Sequence, residues 1–346
     1  MGGGISSLSK ICVIGPPSRD DADVDYTFAQ VGVRNDKVTF NSNCGNMSAA
    51  MGPFSVDEGF VQVDGNKARV RIHNTNTKKI IISQFDMDNG LAGIDGNYVM
   101  PGVDDAGNRV RLDFLDPGGA GTGKLLPSGN VIDTLDIPGV GRFEASIVDA
   151  ANPTVYVDAS AVGLVGTELP ADIDAMTEVM DKLEAIRRYS GVLVGLADSI
   201  EEMETKPTAI SPGFVAPAQD SPILTGNVIP EADGDFVCRI VSSGNVHRAL
   251  PGTRSICTAV ASRIQGTVVH RVARPVEDPT ADVRIVQPSG VIVLAADVVE
   301  KDGEMFARSA TLYRTQRRLF EGYVCVPASK VPNFVSYQQQ HASAAE

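Results

Sequence analysis

Short stretches in which apolar and polar residues alternate recur along the chain, and they predict an architecture rich in β-strands. Residues 60–74 and 110–115 alternate in this way. Asp64-Gly65-Asn66, in the middle of the first stretch, predicts a hairpin turn. Further strands are predicted at residues 11–14, 26–33, 78–85, 143–157, 236–241, 267–272, 283–299, 306–312 and 322–326.

Two segments differ from this pattern, because each predicts a helix of small side chains with almost no charge. The first covers residues 44–57 and the second residues 255–262. Gly52-Pro53 within the first predicts a kink or a break. A helix of this composition fits inside a curled sheet, where larger side chains would not. Two such units suggest a duplicated domain with a cleft between the halves.

The remaining helical pattern is amphipathic. Apolar side chains recur at three- and four-residue steps over residues 171–188, with acidic residues on the other face. This pattern predicts a helix packed on the outside of a domain. The polar residues 338–346 are predicted to be disordered.

Composition and charge exclude several classes of partner. The chain has 346 residues and a net charge of −13, without a block rich in Lys or Arg, so we expect no nucleic acid partner. Five scattered cysteines and four histidines without paired spacing predict neither disulfides nor a metal site. No stretch is long and apolar enough for a membrane span, and the first residues do not resemble a signal peptide. We therefore expect a cytoplasmic protein.

Cys44 is the first candidate for chemistry. It lies between two asparagines, directly before Gly45 and the predicted helix. A thiol at the start of a helix meets unpaired backbone N–H groups and the positive end of the helix dipole, which favour a thiolate or a bound anion. Gly45 allows the backbone to approach a ligand closely. The alternative is a small buried side chain in a turn.

A glycine-rich stretch at residues 116–124 invites comparison with a phosphate-binding loop. That motif requires Ser or Thr directly after the lysine, but Leu125 follows Lys124. The stretch is therefore predicted to be a flexible crossing between domains rather than a nucleotide site.

An ordered set of short motifs resembles the PrpF-like family of 2-methylaconitate cis-trans isomerases, within the diaminopimelate-epimerase-like fold. The set includes a glycine-rich lead into a Ser-Lys pair and a signature around the cysteine. Its motifs lie at residues 2–10, 43–48, 52–54, 57–59, 74–77, 126–129, 152–155, 288–290 and 314–319. Each motif alone is weak, whereas the ordered set is specific for the family.

The resemblance implies an α+β fold of two similar domains, each a curled, mostly antiparallel sheet around a central helix. The first domain would comprise residues 1–122 plus 311–346, and the second residues 123–310. The active site would lie between them. The implied function is the isomerisation of small unsaturated tricarboxylates without a cofactor. A homodimer is a possible assembly of the protein. The family's lysine and cysteine, on opposite sides of the reacting carbon, correspond to Lys10 and Cys44.

The chemistry of these two residues fits that reaction. An enzyme can isomerise an activated C=C bond by removing a proton, letting the delocalised anion rotate or shift, and returning the proton. The base needs a pKa near neutrality, and burial or a helix start can bring a lysine or a cysteine there. We assign Lys10 as the base and Cys44 as a second acid or base, and the reverse assignment stays open. Without the resemblance, Lys10 would be read as an ordinary lysine at a strand edge.

A tricarboxylate substrate also requires anion donors. Backbone N–H groups at Gly45-Asn46 and around Ser255 open the two small-residue helices. Further candidate donors, which could equally be turn or cap residues, are Ser9, Thr77, Asn152 and Ser289 with Gly290. Arg314 could neutralise a carboxylate or pair with the many acidic residues, and the excess of acidic residues favours the second, structural role.

Two departures from the family pattern bear on activity. Members normally carry further strands and an Arg-Gly-Gly-Thr-Ser-Lys-like stretch ahead of the glycine-rich lead, and no such stretch precedes Gly2. A chain without this segment would lack strands of the first domain and donors of the site. In addition, Gln287 stands before Pro288 where the family often has histidine, which suggests a changed substrate.

Two alternatives to the isomerase follow from these observations. One is a binding or structural protein that keeps the fold but has lost activity. The other is an epimerase or racemase with two thiols, since the wider fold includes such enzymes. It would need a second cysteine at the predicted start of the second small-residue helix. The sequence has Ser255 there, and Cys257 lies two residues further on.

Overall fold

The computed structural model describes residues 8–33, 37–40, 43–242, 244–278, 280–323 and 325–327. The first part of the chain contains strands β1 (Lys10–Gly15), β2 (Val24–Val31), β3 (Val38–Thr39), β4 (Lys67–Asn74), β5 (Lys79–Asp88), β6 (Leu91–Ala92) and β7 (Val110–Leu115). The rest contains β8 (Asp133–Ile137), β9 (Gly141–Ala150), β10 (Asn152–Asp158), β11 (Ser211–Pro217), β12 (Ser221–Pro222), β13 (Val228–Ile229), β14 (Phe236–Ser242), β15 (Asn245–Val246), β16 (Val283–Gln287), β17 (Gly290–Lys301) and β18 (Glu304–Arg314). The helices are α1 (Gly45–Asp57), α2 (Pro170–Asp174), α3 (Thr177–Leu193), α4 (Ile200–Glu204), α5 (Gly252–Arg263) and α6 (Val268–Val272).

Most strands join one sheet, in the order β1-β2-β4-β5-β7-β18-β17-β16-β14-β11-β10-β9-β8. Pairing is antiparallel except for β2 with β4, β10 with β11 and β14 with β16. The last strand, β18, lies between β7 and β17 and so joins the first part of the chain to the rest. A mostly antiparallel sheet with few helices agrees with the predicted α+β class.

The two small-residue helices lie in the core. α1 packs against β4, β5 and β7, and α5 packs against β9, β10 and β17. Residues 253–262 of α5 are all buried. One hydrophobic cluster contains residues of both helices, and a second cluster lies under α3. Their small side chains allow the strands to pack closely against them.

α1 runs from Gly45 to Asp57 without the break predicted at Gly52-Pro53. Pro53 removes one helical hydrogen bond, but the buried face of the helix holds the turn in place. Gly52 serves packing instead, because a Cβ there would lie 2.4 Å from Ser83 Oγ and 2.7 Å from Ser83 Cβ.

Further local predictions also differ from the structure. β4 pairs with β5 rather than with residues 60–63, so there is no hairpin at Asp64-Gly65-Asn66. Residues 268–272 form helix α6 instead of a strand, because the Thr267 side chain accepts a bond from His270 N and caps a turn. The helix predicted over residues 171–188 is two helices, α2 and α3.

The glycine-rich stretch is held in place by a carboxylate of the same chain. Asp149 Oδ2 accepts hydrogen bonds from Gly121 N at 2.8 Å, Thr122 N at 2.7 Å and Thr122 Oγ1 at 2.8 Å. Gly119 N donates to the Asp149 carbonyl at 2.8 Å. The backbone N–H groups that could bind a phosphate are therefore already occupied, and the loop is anchored to β9 rather than loosely crossing between domains.

The predicted division into residues 1–122 plus 311–346 and residues 123–310 stays a prediction. Contacts group residues 8–316 into one compact unit. The described residues 317–323 and 325–327 belong to a second, small unit, within which Arg318 donates to Glu321 at 2.9 Å. Residues 2–7 of the glycine-rich lead and the tail at 338–346 lie outside the described residues, as does residue 324. The strand predicted at residues 322–326 is wrong, because residues 322, 323, 325 and 326 are not in a strand.

Replacing Gly52 with alanine should destabilise the fold, since the new Cβ would overlap Ser83. We expect the free energy of unfolding in urea to fall by about 1–3 kcal/mol. Gly15→Ala is the matched control, because a Cβ there meets nothing within 4 Å. Equal stability of the two variants would contradict the close packing of α1 on β5.

The buried carboxyl of Asp149 predicts an unusual pH dependence of the stability of the fold. Burial raises the pKa of its carboxyl despite the loop's hydrogen bonds, so the fold favours the protonated form more than the unfolded chain does. Stability contributed by this group is therefore present at low pH and is lost as pH rises through the raised pKa. We therefore subtract the free energy of unfolding of Asp149→Asn from that of the wild type. This difference should decrease as pH rises from about 4 toward 7. Urea unfolding at several pH values tests this, with exposed Asp136→Asn as control, and a difference that grows with pH would contradict it.

Candidate active site

Lys10 and Cys44 are in direct contact. Lys10 begins β1, and Cys44 is the N-cap of α1 in an extended conformation, with φ −117° and ψ 106°. Lys10 Nζ donates to Cys44 Sγ at 3.3 Å, across 34 residues of sequence. Both side chains are half-buried. Two titratable groups that share a hydrogen bond at an accessible edge can exchange protons with a bound molecule.

A network of asparagines holds the backbone around Cys44. Asn43 Oδ1 accepts from Ser48 Oγ and from Asn74 Nδ2, each at 3.3 Å. Asn74 Oδ1 in turn accepts from the Thr77 backbone N and Oγ1, each at 2.9 Å. Thr77, a predicted substrate donor, thus orients Asn74, and its hydroxyl hydrogen is used within the chain. Asn43 and Asn74 fall within the family motifs at residues 43–48 and 74–77, and their positioning role has no local sequence signal.

The starts of α1 and α5 touch each other. A Cβ on Gly45 would lie 3.3 Å from the Gly252 carbonyl carbon and from Thr253 N, and one on Gly252 would lie 3.4 Å from Gly45 Cα. Only glycine leaves room for this approach. Neither N-cap residue, Cys44 or Pro251, makes a side-chain cap bond. The free N–H groups and the positive dipole ends of both helices therefore meet beside Cys44.

The sequence predicts backbone N–H donors around Ser255, whereas the structure places the start of α5 three residues earlier. The helix begins at Gly252, and Ser255 N already donates to Pro251 O at 2.8 Å. Ser255 Oγ donates to Gly252 O at 2.7 Å. The backbone N–H and the hydroxyl of Ser255 both donate hydrogen bonds within the first turn of the helix. The N–H groups that could bind an anion therefore belong to residues 252–254.

The other predicted donors fall into two groups. Asn152 begins β10 and donates from Nδ2 to Thr253 Oγ1 at 2.6 Å, which puts it at the start of α5. Ser289 donates to the Arg248 carbonyl, and a Cβ on Gly290 would lie 3.1 Å from Pro101 Cβ, so this turn packs on neighbouring loops.

Ser9 and Gln287 both accept hydrogen bonds that fix segments next to the site. The Ser9 carbonyl accepts from Gln30 Nε2 and from Val31 N, each at 2.9 Å, and so fixes the residue before Lys10 onto β2. Gln287, where the family often has histidine, accepts from Leu250 N at 2.8 Å and holds the loop that leads into α5.

Positive charge surrounds the helix starts although the chain as a whole is acidic. Burial lowers the pKa of Arg314 to about 10, and Arg314 Nε donates to Asn46 Oδ1 at 2.9 Å. Burial also lowers the pKa of His247, and the charges of Arg254 and Lys10 lower it further. This local field suits an anionic ligand.

The two-thiol epimerase does not fit this arrangement. Cys257 is fully buried, and its Sγ donates to Val148 O at 3.2 Å. Burial raises its pKa to about 11. The first turn of α5 contains no cysteine, so a second thiol does not face Cys44.

The described residues contain neither a metal-binding cluster nor a membrane-spanning helix. No group of three or more His, Cys, Asp or Glu side chains there could hold a metal ion. Within the same ranges, every helix is too short or too polar to cross a membrane.

Comparisons with known proteins identify the family of this chain. The family model described as PrpF protein matches residues 1–327. A 3-methylitaconate isomerase of Eubacterium barkeri is 41% identical over 325 residues, which are 93% of this chain and 84% of the relative. A 2-methyl-aconitate isomerase of Shewanella oneidensis is 33% identical over 334 residues, which are 94% of this chain and 84% of the relative.

Solved structures support the same conclusion. The crystal structure of a methylitaconate-delta-isomerase superimposes with a TM-score of 0.84 at 39% identity, covering 96% of this chain and 87% of the other. A probable proline racemase from Agrobacterium radiobacter shares the fold alone, with a TM-score of 0.53 at 13% identity, covering 95% of this chain and 79% of the other. The predicted fold class is confirmed, and the chain belongs to the PrpF family, whose named relatives are isomerases.

Proposed function

We propose that this protein isomerises small unsaturated tricarboxylates, such as 2-methylaconitate or aconitate, without a cofactor. The observation that carries the proposal is the 3.3 Å contact between Lys10 Nζ and Cys44 Sγ at the meeting point of two helix starts. The relative named 2-methyl-aconitate isomerase supports a tricarboxylate substrate, and the relative named 3-methylitaconate isomerase, whose substrate is a dicarboxylate, supports the broader class of small unsaturated acids.

The reaction needs only proton transfer. A base removes a proton from a carbon next to the C=C bond, and the electron pair of that C–H bond delocalises over the double bond and the attached carboxylate. The former double bond then has enough single-bond character to rotate, or the double bond shifts. A proton returned to the same or the far carbon completes a cis-trans or a positional isomerisation, with no net change in atoms or electrons.

Lys10 and Cys44 must separate for this step if they act from opposite sides of the carbon. Reacting atoms approach to about 3–3.5 Å, so two groups flanking one carbon lie about 6–7 Å apart. At 3.3 Å they leave no room for it. We propose that the entering substrate displaces the flexible Lys10 side chain from Cys44, after which Lys10 takes the proton and Cys44 supplies one.

The helix starts would bind the charge that develops during the reaction. Gly45 and Asn46 in α1, and residues 252–254 in α5, offer backbone N–H groups to substrate carboxylates. Donors fixed before the substrate arrives stabilise a dienolate without reorganisation, which is the largest contribution in many enzymes. Asn152, through Thr253, would orient the α5 side. Direct substrate contacts of Ser9, Thr77, Ser289 and Gly290 remain part of the proposal. The hydroxyls of Thr77 and Ser289 would have to exchange their bonds to Asn74 Oδ1 and the Arg248 carbonyl for the substrate.

Two further expectations accompany the function. A homodimer and a cytoplasmic location stay predictions. The free thiols of all five cysteines suit a reducing compartment. The competing function is a binding protein without turnover, and an assay for proton exchange separates the two.

The isomerase predicts solvent exchange at the substrate. In deuterated water, the chain should isomerise cis-aconitate, trans-aconitate or 2-methylaconitate and introduce deuterium, seen as changes in vinyl and methylene signals by NMR. Lys10→Ala and Cys44→Ser should each lower the turnover number by about 10²- to 10⁴-fold, since each removes an acid–base group.

Matched controls carry the same substitutions at exposed sites. Lys67→Ala and Cys325→Ser should keep wild-type rates. Circular dichroism establishes that each variant is folded. A folded wild-type chain that neither exchanges nor isomerises any of the three acids would refute the function, and full activity in Lys10→Ala would refute the assigned base.

A further inference from the structure

Arg314 carries a buried charge without a counter-ion. It ends β18 and is only 6% exposed. The ionisable groups that favour its charged form are Tyr98 and Cys44, neither of which is a carboxylate. Within the described ranges, no Asp or Glu side chain forms an ion pair with it. The structural ion pair expected from the acidic composition is therefore wrong, and an uncompensated buried charge is costly.

The guanidinium is oriented rather than loosely placed. Nε donates to Asn46 Oδ1 at 2.9 Å, and Nη1 donates to the carbonyl of Tyr313 at 2.8 Å. Nη2 lies 3.5 Å from where a Cβ on Gly252 would be. These contacts hold the third nitrogen toward the first residue of α5. Among the described residues, no hydrogen bond engages Nη2.

Two of the other buried arginines, Arg239 and Arg187, are satisfied, whereas Arg254 in the first turn of α5 has no partner for Nε among the described residues. Arg239 is fully buried and donates to the carbonyls of Cys238, Val286, Glu168 and Thr167. Arg187 forms a two-pronged ion pair with Glu184 and also donates to backbone carbonyls. A purely structural Arg314 would be expected to resemble these two.

We infer that Arg314 receives a carboxylate of the substrate through Nη2 and so makes the site selective for acids with at least two carboxylates. The inference rests on the proposed function and deepens it. One carboxylate would sit beside the α1 start and the reacting carbon, and another would bridge the Arg314 guanidinium and the first N–H groups of α5. The substrate would then supply the negative charge that the chain itself does not place at Arg314.

Binding of an unreactive acid tests this separately from turnover. Tricarballylate has three carboxylates but no double bond, so it can bind without being isomerised. Calorimetric titration should show a dissociation constant about 10- to 100-fold higher for Arg314→Met than for the wild type, the loss expected for one charge-assisted hydrogen bond. Arg314→Lys keeps the positive charge but lacks the planar guanidinium with its paired N–H donors, so its dissociation constant should lie between those of the wild type and Arg314→Met. Butyrate, with one carboxylate, should bind weakly to wild type and variant alike.

Arg308→Gln is the matched control, because Arg308 lies on the same strand, is exposed and pairs with Asp297. It should bind tricarballylate as the wild type does. The thermal midpoint of Arg314→Met should be no lower than that of the wild type, since an uncompensated buried charge has been removed.

The outcomes separate the two proposals. Unchanged affinity in folded Arg314→Met or Arg314→Lys, or a loss matched by Arg308→Gln, would overturn the carboxylate role, as would a wild type that does not bind tricarballylate. A wild type that binds it through Arg314 but isomerises none of the acids would refute the proposed function and support the carboxylate role.

Discussion

The contact between the starts of α1 and α5 is the constraint on which the rest of the site depends. Gly45 and Gly252 approach so closely that a Cβ on either would lie within about 3.3–3.4 Å of the other helix. Two positive helix ends of about half a charge, roughly 4 Å apart, repel by about 1 kcal/mol at an effective dielectric constant of 20. Arg314 adds a full charge beside them. The arrangement is unfavourable on its own and becomes favourable when an anion binds.

The hydrophobic core holds these like charges together. The same cluster contains residues of α1 and α5 and the strands around them, so the helices cannot move apart without exposing apolar surface. Asn43, Asn74 and Thr77 fix the loop before α1, and Gln287 fixes the loop before α5. The free energy of core packing thus maintains a preorganised anion site.

What could be predicted from the sequence depended on the range of each interaction. The alternation of strand residues and the small-residue helices are local patterns, and they led to the fold class. The contact of Lys10 with Cys44 was accessible only through family resemblance, because no local pattern links residues 34 apart. The capture of the glycine-rich loop by Asp149 and the missing partner of Arg314 were not predicted, since each depends on contacts between distant strands. The α6 prediction failed because an apolar run of five residues fits a strand or a turn of helix equally well.

The position of β18 has a consequence for synthesis of the protein. Arg314 reaches Asn46 across 268 residues, and β18 fills the place between β7 and β17. A nascent chain on the ribosome can form α1 and its neighbouring strands early, but β7 then keeps an unpaired edge until nearly the whole chain has emerged. The Arg314 side of the site is therefore assembled last, so a chain released too early would present Lys10 and Cys44 without the guanidinium beside them.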